Sequence, residues 1–367
     1  MRRTFKYRAV INKETEANCH KWLWLCKTLY NMALEQRIIA RKQRKSISGY
    51  EQEKQLVDLK NAFPEFKTVG SQVLQNVLQR LDKTFQLFFK SKFGFPRFKS
   101  RDRYKSFTLK QTGWQLEGRY LYIKNVGRFK LHLSRPIQGN IKTITVKQSS
   151  TGKWFVMFSC DNVPARLLPA SDVEIGIDVG INRFLVDSDG IPVENPQYFR
   201  QSEKTLRRRQ RSLSRKKRGS GCRKKARLLV AKTHEKIVNQ RNDFCHKTAN
   251  GLLEKAGMVY IENLNIKGMV KNKHLSKSIS DSSWGKFFNI LAYKAEGAGR
   301  RVIRVSARNT SQICSSCGKM VPKSLSVRVH RCPYCKLIID RDYNAAINIL
   351  QRGQRCQALT SAIADVA

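Results

Sequence analysis

The sequence predicts a chain in two parts, an N-terminal antiparallel β-barrel with an inserted helical unit and a C-terminal α/β part with a zinc-binding insert. Three observations favour this fold class. Short β-rich runs separated by turn residues fill residues 106–160. Apolar strands alternate with helical stretches from residue 173 onward. Two CxxC pairs then follow between residues 314 and 335.

The composition indicates a polyanionic partner. The chain has 367 residues, with 72 Lys plus Arg against 27 Asp plus Glu and a formal net charge of +45. A charge this far from zero opposes compaction, and nucleic acid is the commonest partner that offsets it. A hydrophobic content of 41% excludes extended disorder. The sequence has no apolar run of about 18 residues, signal peptide or lipidation motif, so we expect a cytoplasmic protein without a membrane partner.

The N-terminal part combines one strand, several helices and a run of short strands. Residues 1–12 alternate as a strand does, and residues 14–92 have the apolar period of helices, including one over 51–59. We expect residues 1–13 and 99–170 to form the barrel. Residues 14–98 are then a helical unit inserted between two barrel strands.

The C-terminal part alternates strands with helices around a basic stretch. Residues 199–241 predict two helices with a hinge at 218–221, whose cations are expected to hold a phosphate backbone. The alternative for this stretch is a solvated helix face or a linker. The expected boundaries are residues 171–310 plus 337–352 for the α/β domain, 311–336 for the zinc-binding insert and 353–367 for a short, partly disordered tail.

Three carboxylates stand at predicted strand ends and on a buried helix face. Asp178 points away from the apolar face of the strand VEIGIDVG, and Glu262 ends the apolar run MVYIE. Asp342 shares one face of the last helix with Ala345 and Ile349. Burying several carboxylates close together is costly unless a divalent cation, Mg²⁺ or Mn²⁺, neutralises their charge. We therefore expect the three to be catalytic metal ligands for two-metal phosphodiester hydrolysis.

Each acid taken alone could instead have a non-catalytic role, as a helix N-cap or a surface charge. Asp340 fits the N-cap role well. We prefer Asp342 as the third acid because it has the helical register of Ala345 and Ile349.

The cysteine cluster, defined here as Cys314, Cys317, Cys332 and Cys335, has the spacing of a metal site. Thiolates in two such pairs close a tetrahedral Zn²⁺ site without an open position, so the zinc is expected to be structural. His330 lies between the pairs and is interpreted as a solvated loop histidine. The other cysteines are scattered, as is typical of free thiols in a reducing compartment.

Taken in order, the motifs resemble TnpB, a RuvC-type nuclease family encoded by bacterial insertion sequences and similar to type V CRISPR effectors. The motifs are GIDVGINRF, YIENLN, TSQICSSCG, the second CxxC and DRDYNAAINIL, with LSRKKRGS, WGKFFNILAYKAEGAG and GFPRFKSR extending the likeness over almost the whole chain. One departure is Lys336, where the family usually has glycine.

The resemblance implies an α/β, RNase H-like (RuvC) nuclease core in which Asp178, Glu262 and Asp342 bind the metal. It also implies the zinc insert, the barrel and an inserted helical recognition unit. The implied activity is cleavage of double-stranded target DNA, directed by a guide RNA, next to a short flanking motif. We further expect a monomer.

Two other functions stay open at this point. A protein-only transposase would use a similar acidic triad without RNA, and a non-cleaving DNA-binding regulator would use the acids structurally. The presence of all three acids favours an active nuclease.

Overall fold

The computed structural model describes residues 1–90, 93–100, 102–324 and 326–364, without the side chains of 359–364. The chain divides into two units, Met1–Pro164 and Ala165–Ala367. The predicted barrel strands and helices lie in the N-terminal unit, and the predicted nuclease strands and cysteine cluster lie in the C-terminal unit. The finer domain boundaries stay predictions. None of the described helices is long and apolar enough to cross a lipid bilayer.

A seven-stranded antiparallel sheet forms the base of the N-terminal unit. Its strands are β1 (Arg3–Val10), β2 (Ser106–Leu109), β3 (Trp114–Glu117), β4 (Tyr120–Ile123), β5 (Gly127–His132), β6 (Asn140–Gln148) and β7 (Trp154–Asp161). Their order is β2-β6-β7-β1-β5-β4-β3, so the first strand of the chain is central. Among the described residues β2 and β3 lie at the two edges, so the sheet has the strand order of a partly open barrel.

The helices of the N-terminal unit lie between β1 and β2 in the chain. They are α1 (Lys13–Lys42), α2 (Gly49–Lys54), α3 (Leu56–Ala62), a 3-10 turn (Pro64–Thr68) and α4 (Ser71–Phe89). Helix α1 begins after Asn12, whose side chain accepts the N–H of Thr15 at 2.8 Å. The single helix predicted over 51–59 is two helices that meet at Gln55. Helices α1 and α4 share one apolar core with the sheet.

A five-stranded mixed sheet forms the base of the C-terminal unit. Its strands are β8 (Glu174–Val179), β9 (Arg183–Asp187), β10 (Pro192–Glu194), β11 (Met258–Glu262) and β12 (Arg301–Val305). Their order is β10-β9-β8-β11-β12, in which β8, β11 and β12 are parallel and β9 and β10 are antiparallel. A separate two-stranded sheet pairs β13 (Val329–Arg331) with β14 (Ile338–Asp340).

Different helices cover the two faces of the mixed sheet. The helices of this unit are α5 (Tyr198–Ser214), α6 (Gly221–Lys255), α7 (Ile266–Met269), α8 (Ser276–Ser282), α9 (Trp284–Ala298) and α10 (Arg341–Ala364). Ile175 and Ile177 of β8 pack into a core with α6 and α9. Tyr260 of β11 lies on the opposite face with Ile349 of α10. Helix α10 therefore lies alone among the long helices on this second face.

Helix α10 continues to Ala364, so residues 353–364 are helical where a partly disordered tail was predicted. Two side chains explain the extension. Gln354 donates to Glu174 at 2.8 Å, and Tyr260 donates to Gln357 at 2.8 Å. Both bonds tie the helix beyond Leu350 to the sheet. Residues 365–367, the end of the predicted tail, lie outside the described residues.

Gly176 allows α10 to lie directly on β8. A Cβ at this position would lie 2.3 Å from the carbonyl oxygen of Ala346 and 2.6 Å from the backbone nitrogen of Leu350. Both are backbone atoms of a buried helix, so the helix itself has to move. We expect Gly176→Ala to lower the free energy of unfolding by about 3 kcal/mol or more, as measured by urea denaturation.

Gly251→Ala is the matched control for this substitution. Gly251 lies inside α6, and a Cβ there meets open space. The change should raise the unfolding free energy by about 0.5–1 kcal/mol, because alanine favours the helix. An unchanged stability in Gly176→Ala would contradict the close packing of α10 on β8.

Candidate active site

Parallel pairing of β8 with β11 brings Asp178 next to Glu262. Ile177 pairs with Ile261 in register, and both side chains are buried in the core with α6 and α9. The next residues in the two strands, Asp178 and Glu262, therefore point to the opposite face, which α10 covers. Glu262 is 8% exposed, and Asp178 is half-buried.

Asp342 lies in the first turn of α10, on the helix face that packs against the sheet. Ile349, two turns further along the same face, is fully buried. A Cβ built on Gly180, just after β8, would lie 4.0 Å from Oδ2 of Asp342. Asp340 caps the helix, because its Oδ1 accepts the backbone N–H of Asp342 at 2.9 Å. Asp340 is therefore the cap of α10, and Asp342 lies on the helix face that points to the end of β8.

The three carboxylates interact electrostatically. Burial raises the pKa of Asp178 well above its usual range, and the negative charges of Glu262 and Asp342 raise it further, while Arg341 opposes them. Burial also raises the pKa of Glu262, against the effect of a hydrogen bond from Thr310. Acids that disfavour one another's ionisation form a site that a divalent cation stabilises. Asp178 at the end of β8 is therefore within electrostatic reach of both Glu262 and Asp342, although the oxygens of the three acids are not gathered as closely as the sulfurs of the four cysteines.

Thr310 is a site residue that the sequence reasoning missed. Its buried hydroxyl donates to Oε1 of Glu262 at 2.5 Å, and its carbonyl accepts the side-chain amide of Asn348 at 2.9 Å. Asn348 and Asn344 also donate to the carbonyl of Ile313, at 2.7 and 2.8 Å. Helix α10 therefore holds the segment that leads into the first CxxC pair. The sequence TSQIC was part of a motif used for the family resemblance, but no residue near it in the chain indicated a hydrogen bond to Glu262.

The four sulfurs of the cysteine cluster converge. Their Sγ atoms all lie within 4.8 Å of one another. Cys314 and Cys335 are 3.5 Å apart, and Cys317 and Cys332 are 3.6 Å apart. Tetrahedral Zn–S bonds of about 2.3 Å put sulfurs roughly 3.8 Å apart, so this set fits Zn²⁺.

The backbone around the second CxxC pair favours a thiolate. Burial alone would raise the pKa of the Cys332 thiol, but hydrogen bonds from the N–H groups of Cys335 and Tyr334 and from the thiols of Cys335 and Cys317 lower it to about 6. A thiolate is the form of cysteine that binds metal. The Cys332 sulfur is therefore prepared to act as a ligand near neutral pH.

His330 is fully buried, so its interpretation as a solvated loop residue is wrong. It lies in β13 opposite Ile339, and its Nδ1 contacts the ammonium group of Lys323. Burial lowers the pKa of His330, and the charge of Lys323 lowers it further, so the ring stays neutral. Among the described residues the converging ligand atoms are those of the four cysteines alone.

Both CxxC pairs end in a residue with left-handed backbone geometry. Gly318 has φ 72° and Lys336 has φ 60°. In each turn the N–H of this residue donates to the carbonyl of the first cysteine, Cys314 at 3.0 Å and Cys332 at 3.1 Å. This conformation costs an L-residue roughly 1–2 kcal/mol. Glycine is therefore the better residue at both positions, and Lys336 carries strain.

Lys336→Gly is expected to stabilise the cysteine cluster by up to about 1 kcal/mol, because the relief of strain exceeds the added chain entropy. Gly318→Ala is the matched opposite change, since its Cβ meets no atom within 4 Å and only the backbone conformation is penalised. The chelator concentration that removes half of the zinc should rise in the first variant and fall in the second. A fall in both would contradict the assigned strain.

Comparison with known proteins identifies the family. Residues 159–273 match the family described as "Probable transposase", and residues 284–349 match "Cas12f1-like, TNB domain". A protein of Streptomyces pristinaespiralis named "Putative RNA-guided DNA endonuclease" is 32% identical, covering 98% of this chain and 91% of its own length. This chain belongs to the TnpB family.

Two further comparisons agree with membership of the TnpB family. The Escherichia coli (strain K12) protein "Putative RNA-guided DNA endonuclease InsQ" is 30% identical, over 95% of this chain and 92% of its own length. A cryo-EM structure titled as a Cas12f1-sgRNA-target DNA complex has a TM-score of 0.60 and 15% identity. That alignment covers 95% of this chain and 98% of the other, which shows a shared fold.

In this TnpB-family chain, helices α5 and α6 carry a dense positive surface. Residues 200–236 contain sixteen Lys or Arg and two acids. One of those acids, Glu203, is already paired with Lys277 at 2.7 Å. Leu206 and Ile237 are buried, whereas Leu228 and Val238 are exposed. The two-helix prediction with a break near 218–221 is confirmed.

Proposed function

We propose that this chain is an RNA-guided endonuclease that hydrolyses target DNA at Asp178, Glu262 and Asp342. The observation that carries the proposal is the position of these carboxylates around the end of β8, in a member of the TnpB family. Relatives that align over nearly the full chain are named for this activity. The mixed sheet, with parallel central strands and α10 across one face, supports an RNase H-like core.

The donor set of the three acids fits Mg²⁺ or Mn²⁺. Carboxylate oxygens are the ligands that these hard cations prefer, and the raised pKa of Asp178 reflects a site short of positive charge. When bound, the metal lowers the pKa of a water and stabilises the leaving oxygen. The chain itself orients the acids: Thr310 fixes one oxygen of Glu262, and Arg341 lies 3.8 Å from Oδ1 of Asp342.

The cysteine cluster is proposed to hold a structural Zn²⁺. Four thiolate ligands leave no open position for substrate. The zinc would hold the segment before Cys314 in place. Asn344 and Asn348 connect this segment to the helix that carries Asp342, so the zinc would also help to position that helix.

The positive surface of α5 and α6 is proposed to bind the phosphate backbone of the guide RNA or the target DNA. If six to ten phosphates are neutralised, affinity should fall about 10³–10⁵-fold between 50 and 200 mM salt. The chain would then act on double-stranded DNA as a monomer, in the cytoplasm. Light scattering of the RNA-bound protein tests the oligomeric state.

The first experiment is to purify the protein from its native sequence context and to sequence the nucleic acid that stays bound at moderate salt. We expect a discrete RNA with a constant part and a terminal segment that matches the flank of the element. The bound complex should then cut matching double-stranded DNA when Mg²⁺ is added.

Two outcomes would favour the alternatives. Recovery of element-end DNA without RNA would support a protein-only transposase. A discrete RNA with guided binding and no cleavage in Mg²⁺ or Mn²⁺ would support a non-cleaving regulator.

A further inference from the structure

Residues 83–101 form an unusual aromatic and basic segment. They contain six Phe and six Lys or Arg with no acidic residue, and so hold a third of the 18 Phe in the chain. Among the described side chains, Phe89, Phe93, Phe95 and Phe98 are 74%, 64%, 48% and 53% exposed. Phenylalanine at this exposure, repeated within ten residues, marks an interaction surface.

Part of the segment is anchored, although its rings are exposed. The side-chain amide of Asn31 donates to the carbonyl of Lys99 at 3.0 Å, and the N–H of Lys99 donates to Oδ1 of Asn31 at 2.8 Å. Pro96 is buried between the exposed rings. Phe95 lies edge-on to Phe88, with ring centroids 5.3 Å apart. The described contacts therefore hold the ring of Phe95 and the backbone next to Phe98 in place, while both rings stay exposed.

The charge around these rings restricts what can cover them. Lys90 and Arg97 are exposed neighbours of these phenylalanines in the chain, and the sequence places no carboxylate between Asp82, which pairs with Arg37 at 3.0 Å, and Asp102. The partner must therefore present flat apolar faces and negative charge together. Nucleobases on a phosphate backbone have this combination, and base stacking on aromatic rings tolerates any sequence because every base has a π-face.

We propose that Phe93 and Phe98, with the cations beside them, bind the unpaired bases of single-stranded DNA. This inference rests on the proposed function, because pairing of a guide with its target leaves the other DNA strand unpaired. The sequence of that strand changes from target to target. Phenylalanine has no hydrogen-bonding atom and distinguishes neither base edges nor a 2′-hydroxyl, which suits a strand of variable sequence.

The test measures binding of a single-stranded DNA oligonucleotide with 2-aminopurine to the full-length protein, without metal or guide. Stacking quenches the fluorescence of this base. Phe93→Ala with Phe98→Ala should weaken binding roughly tenfold or more and remove the quenching, while tyrosine at both positions should preserve both. Leucine keeps the apolar surface without a ring, so the double leucine variant should behave as the alanine variant does.

The control variant is Phe63→Ala. Phe63 is 46% exposed in the same unit but lies outside the segment, so its loss should leave binding unchanged. Wild-type affinity in the double leucine variant would refute the stacking of bases on Phe93 and Phe98. Tighter binding of single-stranded RNA of the same sequence would overturn the assignment to DNA. A wild-type dimer that the alanine variant dissociates would show that a second copy of this chain covers the rings.

The outcome of this binding test can be distinguished from the outcome of the cleavage test of the proposed function. The binding assay requires neither a guide nor cleavage, so a wild-type protein that stacks DNA but never cuts it would refute only the proposed function. A protein that cuts guided targets but shows identical quenching in wild type and alanine variant would refute only this inference.

Discussion

Asp178→Asn is expected to abolish cleavage of guided target DNA while RNA and DNA binding persist. The loss of one carboxylate ligand should lower the cleavage rate about 10³-fold or more, because it removes several kcal/mol of stabilisation of the transition state. Single-turnover cleavage and a filter-binding assay on the same preparation separate the two effects. Asp340→Asn is the matched control, since asparagine also caps helices and Asp340 acts as the cap of α10. Full activity in Asp178→Asn would refute the assigned triad.

The same substitution should stabilise the metal-free protein at neutral pH. The folded state raises the pKa of Asp178, so the folded protein keeps a proton that the unfolded chain releases near pH 4. The stability of the metal-free protein therefore falls as the pH rises from the usual Asp pKa towards the raised one. In buffer without added Mg²⁺ or Mn²⁺, Asp178→Asn should raise the melting temperature and flatten its dependence on pH above 4. A melting temperature that falls under these conditions, with zinc still bound, would contradict the electrostatic repulsion.

Cys332→Ser is expected to abolish both zinc binding and cleavage, although it leaves the three carboxylates in place. In zinc-finger peptides a structural Zn²⁺ contributes roughly 10–16 kcal/mol, which is comparable to the whole stability of a domain. Without zinc the segment before Cys314 loses its support. Through Thr310 and Asn348 the loss reaches Glu262 and α10.

Elemental analysis and cleavage kinetics measure this prediction together. Wild-type protein should contain one zinc per chain, Cys332→Ser should contain none, and its cleavage should fall in parallel. Cys222→Ser is the control, because Cys222 is an exposed thiol outside the cluster. Freshly purified wild-type protein without zinc, or normal cleavage by Cys332→Ser, would rule out the proposed structural role.

Local periodicity was enough to place most of the candidate site. The two-residue period of β8 put Asp178 on the face opposite Ile177, and the helical period put Asp342 on the face of Ile349. The spacing of the cysteines likewise reflects short-range geometry, and the four sulfurs do converge. The decisive information lies within about ten residues of chain for each aspartate and within residues 314–335 for the cysteines.

The features that were missed depend on long-range contacts. The burial of His330 comes from pairing with β14, and the bond from Thr310 to Glu262 spans 48 residues. Helix α10 continues beyond Leu350 because side chains near its end bond to Glu174 and Tyr260, far upstream. Sheet closure is equally non-local, and strand propensity alone could not show that β2 and β3 stay at the edges.

The order of the acids along the chain has a consequence during protein synthesis. Asp178 is made 164 positions before Asp342, which is about 8–33 s earlier at 5–20 residues per second. In the later part of that interval, after Lys255 has been made, the ribosome carries a chain whose basic helices are complete but whose last carboxylate is missing. A nascent chain therefore gains affinity for nucleic acid before it gains the ability to cut it.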